Sequence, residues 1–349
     1  MIFGRMTDVA AIPQKVIPGN AQHIGSRNEQ QDSFGFSEFD DAGFVQHAGI
    51  LSVVADGMGG LALGRDSSAT AVRTFLATYA SKEPDENIAD ALDRSLHAAN
   101  RAVNRRAAEA GVEGEAGTTL VAVVIHDGKL YRVSAGDSRI YLHRQGDLRQ
   151  ITTDYNYGRV LDRMVEKGDM SSSEAAAHPS RAALTSYLGK EALDDYDHPS
   201  DPPMELLSGD KILLASDGLF GFLPEEDIAR LLEAEPQLAA EALVHATVTL
   251  QSPYQDNVTV AILGYDLPPA NPLAETKTRA ADPTSTIAEK MHRNRSSGMG
   301  KWVKVAVFIL ALAVVGFIAG RYIGKQGFKP EHPADKIENN APGAPMKGE

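Results

Sequence analysis

The 349-residue sequence contains no cysteine. That absence excludes a disulfide framework, a thiolate metal site and a cysteine nucleophile, and it fits a reducing compartment. The opening stretch, MIFGRMTDVAAIPQKVI, lacks an apolar run long enough for a secretory signal and is broken by Arg5, Asp8 and Pro13. Basic residues are scarce where the chain is longest. Residues 1–265 hold 22 Lys and Arg against 39 Asp and Glu, a net charge of −17. A surface this acidic repels phosphate backbones, so no nucleic-acid partner is expected. The same excess makes any single carboxylate ordinary solvated surface by default, so only its spacing can single it out. No internal repeat is visible.

What is present is enough apolar residue, 43%, to bury a full core, in one large domain plus extras or two modest domains. Apolar runs predict strands at 48–55, 118–126, 129–135, 138–143, 147–151, 210–215 and 257–265. Asp127-Gly128 lies between two of these runs and Gly146 between two others, so antiparallel hairpins are expected. Helices are predicted in pairs, at about 65–81 with 86–109, and at 225–233 with 236–250. In the second of these, Ile88, Leu92, Leu96, Ala99 and Val103 keep to one face. Helix pairs beside antiparallel strands suggest packed sheets with helices outside. The stretch 154–190 mixes helical patterning with Gly, Ser and Pro, and reads as a surface insertion.

Four acids stand at the ends or turns of apolar strands. Asp56 follows ILSVVA, Asp217 follows KILLAS, Asp256 lies in YQDNVTVAIL and Asp32 in SRNEQQDSFGF. Singly, each has an ordinary explanation, since Asp-Gly is a common turn pair and Asp before Asn caps turns. Together they would cluster if their strands are neighbours. Two unit charges 4 Å apart repel by about 4 kcal/mol at an effective dielectric of 20, a cost that divalent cations remove. Carboxylates, a backbone carbonyl and water favour Mg²⁺ or Mn²⁺. Gly57 would free its carbonyl to turn inward as a ligand, and Gly59 and Gly60 would leave room for waters and substrate.

The ordered series SRNEQQDSFGF, VVADGMGG, GTTLVAVVI, VSAGDSRIYLHR, LLASDGLFGFL and QDNVTVAIL resembles the PPM family of metal-dependent Ser/Thr protein phosphatases, over residues 20–265. The resemblance implies an α+β fold of two packed antiparallel β-sheets flanked by helix pairs, an α-β-β-α sandwich. It also implies two Mn²⁺ or Mg²⁺ ions. Asp56 would bridge them, the Gly57 carbonyl would bind one, and Asp217 and Asp256 the other. Arg27 would bind substrate phosphate and Asp32 would orient the attacking water, which displaces the phosphate in line. An ordinary surface ion pair is the other reading of Arg27. Met58 stands where some members carry a His that would donate a proton, so the leaving group would be protonated by water or not at all. Gln31 replaces an acid. Asp137 is a candidate third-metal ligand or a structural turn residue beside Arg139, and Gly221 stands where the third ion's other acid would be. The stretch 154–190 matches the family's flap in place, with Ala182 where many members have Asn. Phosphoprotein substrates are implied. The other readings are a non-catalytic phosphoprotein-binding scaffold of this fold, and a phosphatase dedicated to one regulatory protein.

The organisation expected is an N-terminal segment at 1–19 and the phosphatase domain at 20–266, followed by a flexible linker at 267–300. A transmembrane helix at 301–323 and a polar tail at 324–349 complete it. Val305 to Gly320 carries no charge and spans about 24 Å as a helix against about 30 Å of hydrocarbon. Lys304 and Arg321, with Trp302 and Tyr322, would close that gap by snorkelling. Basic residues are denser before the span than after it, which favours a domain on the cytoplasmic face of the inner membrane, single-pass, and near a membrane-associated Ser/Thr kinase. Gly316, Gly320 and Gly324 form a possible helix-pairing stripe.

Overall fold

The computed structural model describes residues 15–59, 61–199 and 202–267. The expected linker, membrane span and tail, apart from Leu267, lie outside these residues, as does Gly60. No helix among the described residues is long and apolar enough to cross a membrane.

Eleven strands and eight helices follow one another in the described chain. The strands are β1 (Lys15–His23), β2 (Asp32–Phe36), β3 (Ile50–Met58), β4 (Gly117–Thr118), β5 (Leu120–His126), β6 (Lys129–Ala135), β7 (Arg139–Arg144), β8 (Asp147–Gln150), β9 (Met204–Glu205), β10 (Asp210–Ala215) and β11 (Val258–Asp266). The helices are α1 (Ala42–Ala48), α2 (Leu61–Ala80), α3 (Ile88–Ala110), α4 (Tyr157–Lys167), α5 (Ser172–Ala176), α6 (Asp217–Phe220), α7 (Glu225–Leu231) and α8 (Pro236–Thr249). One sheet runs β1-β11-β10-β7-β8 and the other β2-β3-β5-β6-β9, with β4 paired to the end of β3; every pairing is antiparallel.

The side-chain period of a strand explains the layering. In β5, Val121, Val123 and Ile125 face the second sheet and pack with Ile140, Leu142, Ile212 and Leu214. The alternate residues Leu120, Ala122 and Val124 face α2 and α3, among Phe75, Tyr79, Leu92 and Leu96. β11 does the same on the other side. Ala261 and Leu263 turn to the centre, while Val258, Val260 and Ile262 turn to Leu243 and Val244 of α8. Both inner strands are buried on two faces, so their sequences read as unbroken apolar runs rather than alternations. The result is the α-β-β-α sandwich that the motif series implies.

Both expected hairpins form. Asp127 and Gly128 take φ of 48° and 72° between paired His126 and Lys129, and Gln145 and Gly146 take 54° and 87° between Arg144 and Asp147. Sequence patterning misses β1, β2 and the two-residue β9, and of these β1 is the longest. Its Pro18 argues against a sheet, but β1 is an edge strand that pairs only with β11, where a missing N–H is tolerated. The expected domain start at residue 20 falls inside β1, which begins at Lys15. The 154–190 insertion contains α4 and α5 and is pinned at its base by bridges of Asn156 to Leu184 and of Leu188 to Thr118.

Candidate active site

Asp56 lies within β3 rather than at its end, because Gly57 and Met58 continue the strand by pairing with Thr118 and Gly117 of β4. Its backbone is held on both sides. The Asp56 N–H donates to Thr119 Oγ1 at 3.0 Å, and its carbonyl accepts from the Thr119 N–H and the Thr118 hydroxyl, each at 2.8 Å. Gly57 is required by packing. A Cβ there would sit 2.0 Å from the Gly64 carbonyl oxygen of α2 and 2.8 Å from that of Gln31. Close approach of a helix backbone is thus a reason for glycine here besides the expected freedom of its carbonyl to turn inward.

Asp217 enters from the other sheet. β10 ends at Ala215, Ser216 caps the short α6, and Asp217 is that helix's first residue. Gly218 lets this turn press against the 255–257 loop, since its Cβ would meet the Asn257 carbonyl oxygen at 1.9 Å. Asp256 stands two residues before β11. Asn257, buried at 3% exposure, ties that loop to the loop carrying Arg27. Its Nδ2 donates to the carbonyls of Ile24 at 2.8 Å and Glu29 at 3.0 Å, and its Oδ1 accepts from the Gln31 N–H at 2.7 Å.

These segments meet at one cavity of about 590 Å³, lined by Arg27, Asp56, Gly57, Asp137, Asp217 and Asp256 among others, with Met58, Gln31 and Ala182 also at its wall. Arg27 is the only cation among the described lining residues. In this structure it is spent on Asp256, with a guanidinium nitrogen 2.6 Å from Oδ2. The other Asp256 oxygen accepts from the Asn257 N–H at 2.8 Å. The ion pair is therefore real, and Arg27 remains 55% exposed on the solvent side.

Asp32 is brought to the cluster but sits one layer behind the cavity. It pairs directly opposite Asp56 across β2 and β3 and is 4% exposed. Burial pushes its carboxyl up to about 6, against the pull of the Ser216 hydroxyl donating to Oδ2 at 2.8 Å. Burial likewise raises Asp217 to about 7, reinforced by Asp137, Asp256 and Asp32. Asp56 is held well above the usual carboxylate range by burial and then by Asp32, Asp217, Asp256 and Asp137. Asp137 is raised by burial too, although the Asn156 side chain donates to it at 3.1 Å. Asp137 does not hold Arg139, which is engaged instead by both oxygens of Asp154, by Tyr141 Oη at 2.9 Å and by the Phe220 ring at 4.0 Å.

A carboxylate cluster that shares its charge so poorly calls for cations. The buried Oδ1 of Asp217, at the cavity wall, lacks any hydrogen-bond partner, which is the arrangement expected of a donor to a cation. The donor set is all oxygen, suited to Mg²⁺ or Mn²⁺. Among the described residues, however, no group of three or more His, Cys, Asp or Glu closes into a metal-holding set. Asp256 has both oxygens engaged, one of them by Arg27, so the fit lies in the donors and their unpartnered atoms rather than in a closed shell.

A family model for protein phosphatase 2C matches residues 20–247, about two thirds of the sequence. The chain belongs to this PPM family. It is 30% identical to the serine/threonine protein phosphatase PstP of Mycobacterium tuberculosis over 303 residues, which cover 79% of this chain but 56% of PstP. The chain thus spans little more than half of that relative. It is 32% identical to the serine/threonine phosphatase stp of Listeria monocytogenes over 223 residues, 62% of this chain and 85% of stp. The crystal structure of M. tuberculosis PstP superposes with a TM-score of 0.59 at 30% identity, covering 72% of this chain and 99% of that one. A PstP catalytic domain in complex with two manganese ions superposes with a TM-score of 0.58 at 27% identity, covering 73% and 100%. The two-sheet architecture is shared with these phosphatases.

Residues that sequence reasoning missed are Thr119, Asn156 and above all Asn257. Asn257 belongs to a quoted motif, yet its three-way clamp becomes visible only once two loops more than two hundred residues apart are adjacent.

Proposed function

We propose that the chain hydrolyses phosphoserine and phosphothreonine esters in proteins, using two Mn²⁺ or Mg²⁺ ions held by Asp56, the Gly57 carbonyl, Asp217 and Asp256. The observation that carries the reading is the arrival of Asp56, Asp137, Asp217, Asp256 and Arg27 at one cavity, with an Asp217 oxygen unpartnered there. Bound there, the ions would lower the pKa of water and offset the phosphoryl charge.

The chain's own residues have the remaining tasks. Arg27 would release Asp256 and present its planar fork to two phosphoryl oxygens, a match to which Arg geometry is suited. Its exposure leaves it free to make that exchange. Asp32, buried opposite Asp56, acts as a positioning residue that holds the Asp56 carboxylate in place rather than touching the water directly. Met58 donates no proton, so the departing serine or threonine oxygen takes its proton from solvent. Thr118 and Thr119 fix the Asp56 backbone.

The apolar stretch from Val305 to Gly320 would tether the domain to the inner face of the membrane, beside a membrane-associated Ser/Thr kinase whose products it would reverse. Membrane fractionation of the full chain against a chain lacking 301–323 tests the tether, and recovery of both in the soluble fraction refutes it.

For the chemistry, the chelator-stripped protein should hydrolyse a phosphothreonine peptide only after Mn²⁺ or Mg²⁺ is restored. Asp56→Asn should remove turnover while leaving the circular dichroism spectrum unchanged. Equal hydrolysis without divalent ions would refute the proposal. Tight phosphopeptide binding without hydrolysis in the presence of Mn²⁺ would instead select a non-catalytic scaffold.

A further inference from the structure

A second, larger cavity of about 930 Å³ adjoins the first and shares Asp137, Ala182, Asp217 and Asp256 with it. The wall beyond the shared residues comes from α4, through Arg159 and Arg163, and from Phe222 and Tyr254. The chain closes neither feature upon itself.

Charge is distributed unequally along this groove. Arg181 and Asp162 neutralise each other through two contacts of 2.9 Å, and Arg139 is bound to Asp154 at 2.7 Å. Arg159 and Arg163 have no carboxylate within ion-pair distance among the described residues; Arg159 meets Tyr155, its guanidinium 5.4 Å from the ring centroid. They stand one helical turn apart, so both face the same stretch of groove. On α4 the groove also carries Glu166 and the Arg181-bound Asp162, while Asp137, Asp217 and Asp256 line its inner end and Asp154 is held by Arg139. Unlike Arg101 and Arg105, which also stand one turn apart without an ion pair on α3, Arg159 and Arg163 line a cavity that reaches the acid cluster. Tyr254 is 84% exposed, more than any other large apolar side chain described, and its ring packs on no other described ring.

α4 is also tied to the catalytic cavity. Its capping residue Asn156 accepts from the Arg159 N–H and donates to Asp137, so the helix bearing the two arginines is hinged on a residue of the acid cluster.

We infer that this groove receives the residues flanking the phosphorylated side chain, taking an acidic side chain against Arg159 and Arg163 and an apolar one against Tyr254 and Phe222. The inference rests on the phosphatase reading and adds a preference to it.

The test uses the full chain with Mn²⁺, p-nitrophenyl phosphate and three phosphothreonine peptides. One peptide carries flanking Glu and Phe, the second replaces Glu by Lys, and the third replaces Phe by Gly. The intact protein should prefer the first over the second by about tenfold in kcat/KM, expressed through KM. Arg163→Glu should abolish or invert that preference, and Tyr254→Ala should remove the preference for Phe over Gly. Both variants should retain hydrolysis of p-nitrophenyl phosphate, which also reports that they fold. Equal rates on the Glu and Lys peptides, or a preference that survives Arg163→Glu, overturn the groove assignment while leaving the phosphatase reading intact. Failure to hydrolyse both the small ester and the peptides overturns both.

Discussion

Without divalent ions the domain should lose stability as the pH rises, and the size of the loss follows from the acid cluster. Asp217 has an ordinary value of 3.8 and is raised to about 7 in the folded protein. Between those values the folded state holds a proton that the unfolded state has released, so raising the pH favours unfolding. The full cost, present above the folded value, is of the order of 4 kcal/mol, of which about 3 kcal/mol develops above pH 5. Asp32, raised to about 6, and Asp56, raised well above its ordinary value, act in the same direction. Buried His143 acts in the opposite direction. Its pKa is lowered, chiefly by burial, so its contribution is lost as the pH falls. For a domain of this size about 3 kcal/mol corresponds to roughly 6–12 °C in Tm. Thermal unfolding in chelator at pH 5 and pH 8 should therefore show the lower Tm at pH 8. Asp217→Asn should flatten the difference, and Mn²⁺ should raise Tm far more at pH 8 than at pH 5. A chelator-treated protein whose Tm is equal or higher at pH 8, with Asp217→Asn unchanged, would refute the reasoning.

Other perturbations separate scaffold from chemistry. Arg27→Ala should cost less than about 1 kcal/mol of stability, because its ion pair is 55% and 33% exposed, yet raise KM for a phosphate ester about tenfold. Asn257→Ala leaves two carbonyls and one N–H without their partner, and should destabilise by about 2–4 kcal/mol in urea unfolding. Gly57→Ala forces a Cβ to within 2.0 Å of a helix carbonyl and should cost more than about 3 kcal/mol or prevent folding, read by circular dichroism.

The parts of the fold legible in the sequence are those whose signals are local. Asp127-Gly128 and Gln145-Gly146 demand positive φ at two consecutive positions, which marks their hairpins. Ile88, Leu92, Leu96, Ala99 and Val103 of α3 keep helical spacing and are all buried. β2 was illegible because DSFGF is short and carries Gly35, whose missing side chain makes room for Leu76 of α2. The acid cluster was legible as aspartates at or near the ends of apolar runs, but their meeting place follows from the packing of the two sheets, which sets β3 against β10 and β11. What escaped were relations between distant residues. Asp32 lies behind Asp56 rather than at the cavity wall, Gly57 answers to α2, and Arg27 closes on Asp256. Each depends on which segments touch, and no pattern within one segment encodes it.

The central claim is that aspartates from both sheets together hold a pair of hard cations. Titration of chelator-stripped protein with Mn²⁺, following free ion by electron paramagnetic resonance, tests it most directly. Two ions bound per chain, with binding lost in Asp56→Asn and weakened in Asp217→Asn, is the predicted result. Binding that is absent in the intact protein, or unchanged by Asp56→Asn, would contradict it.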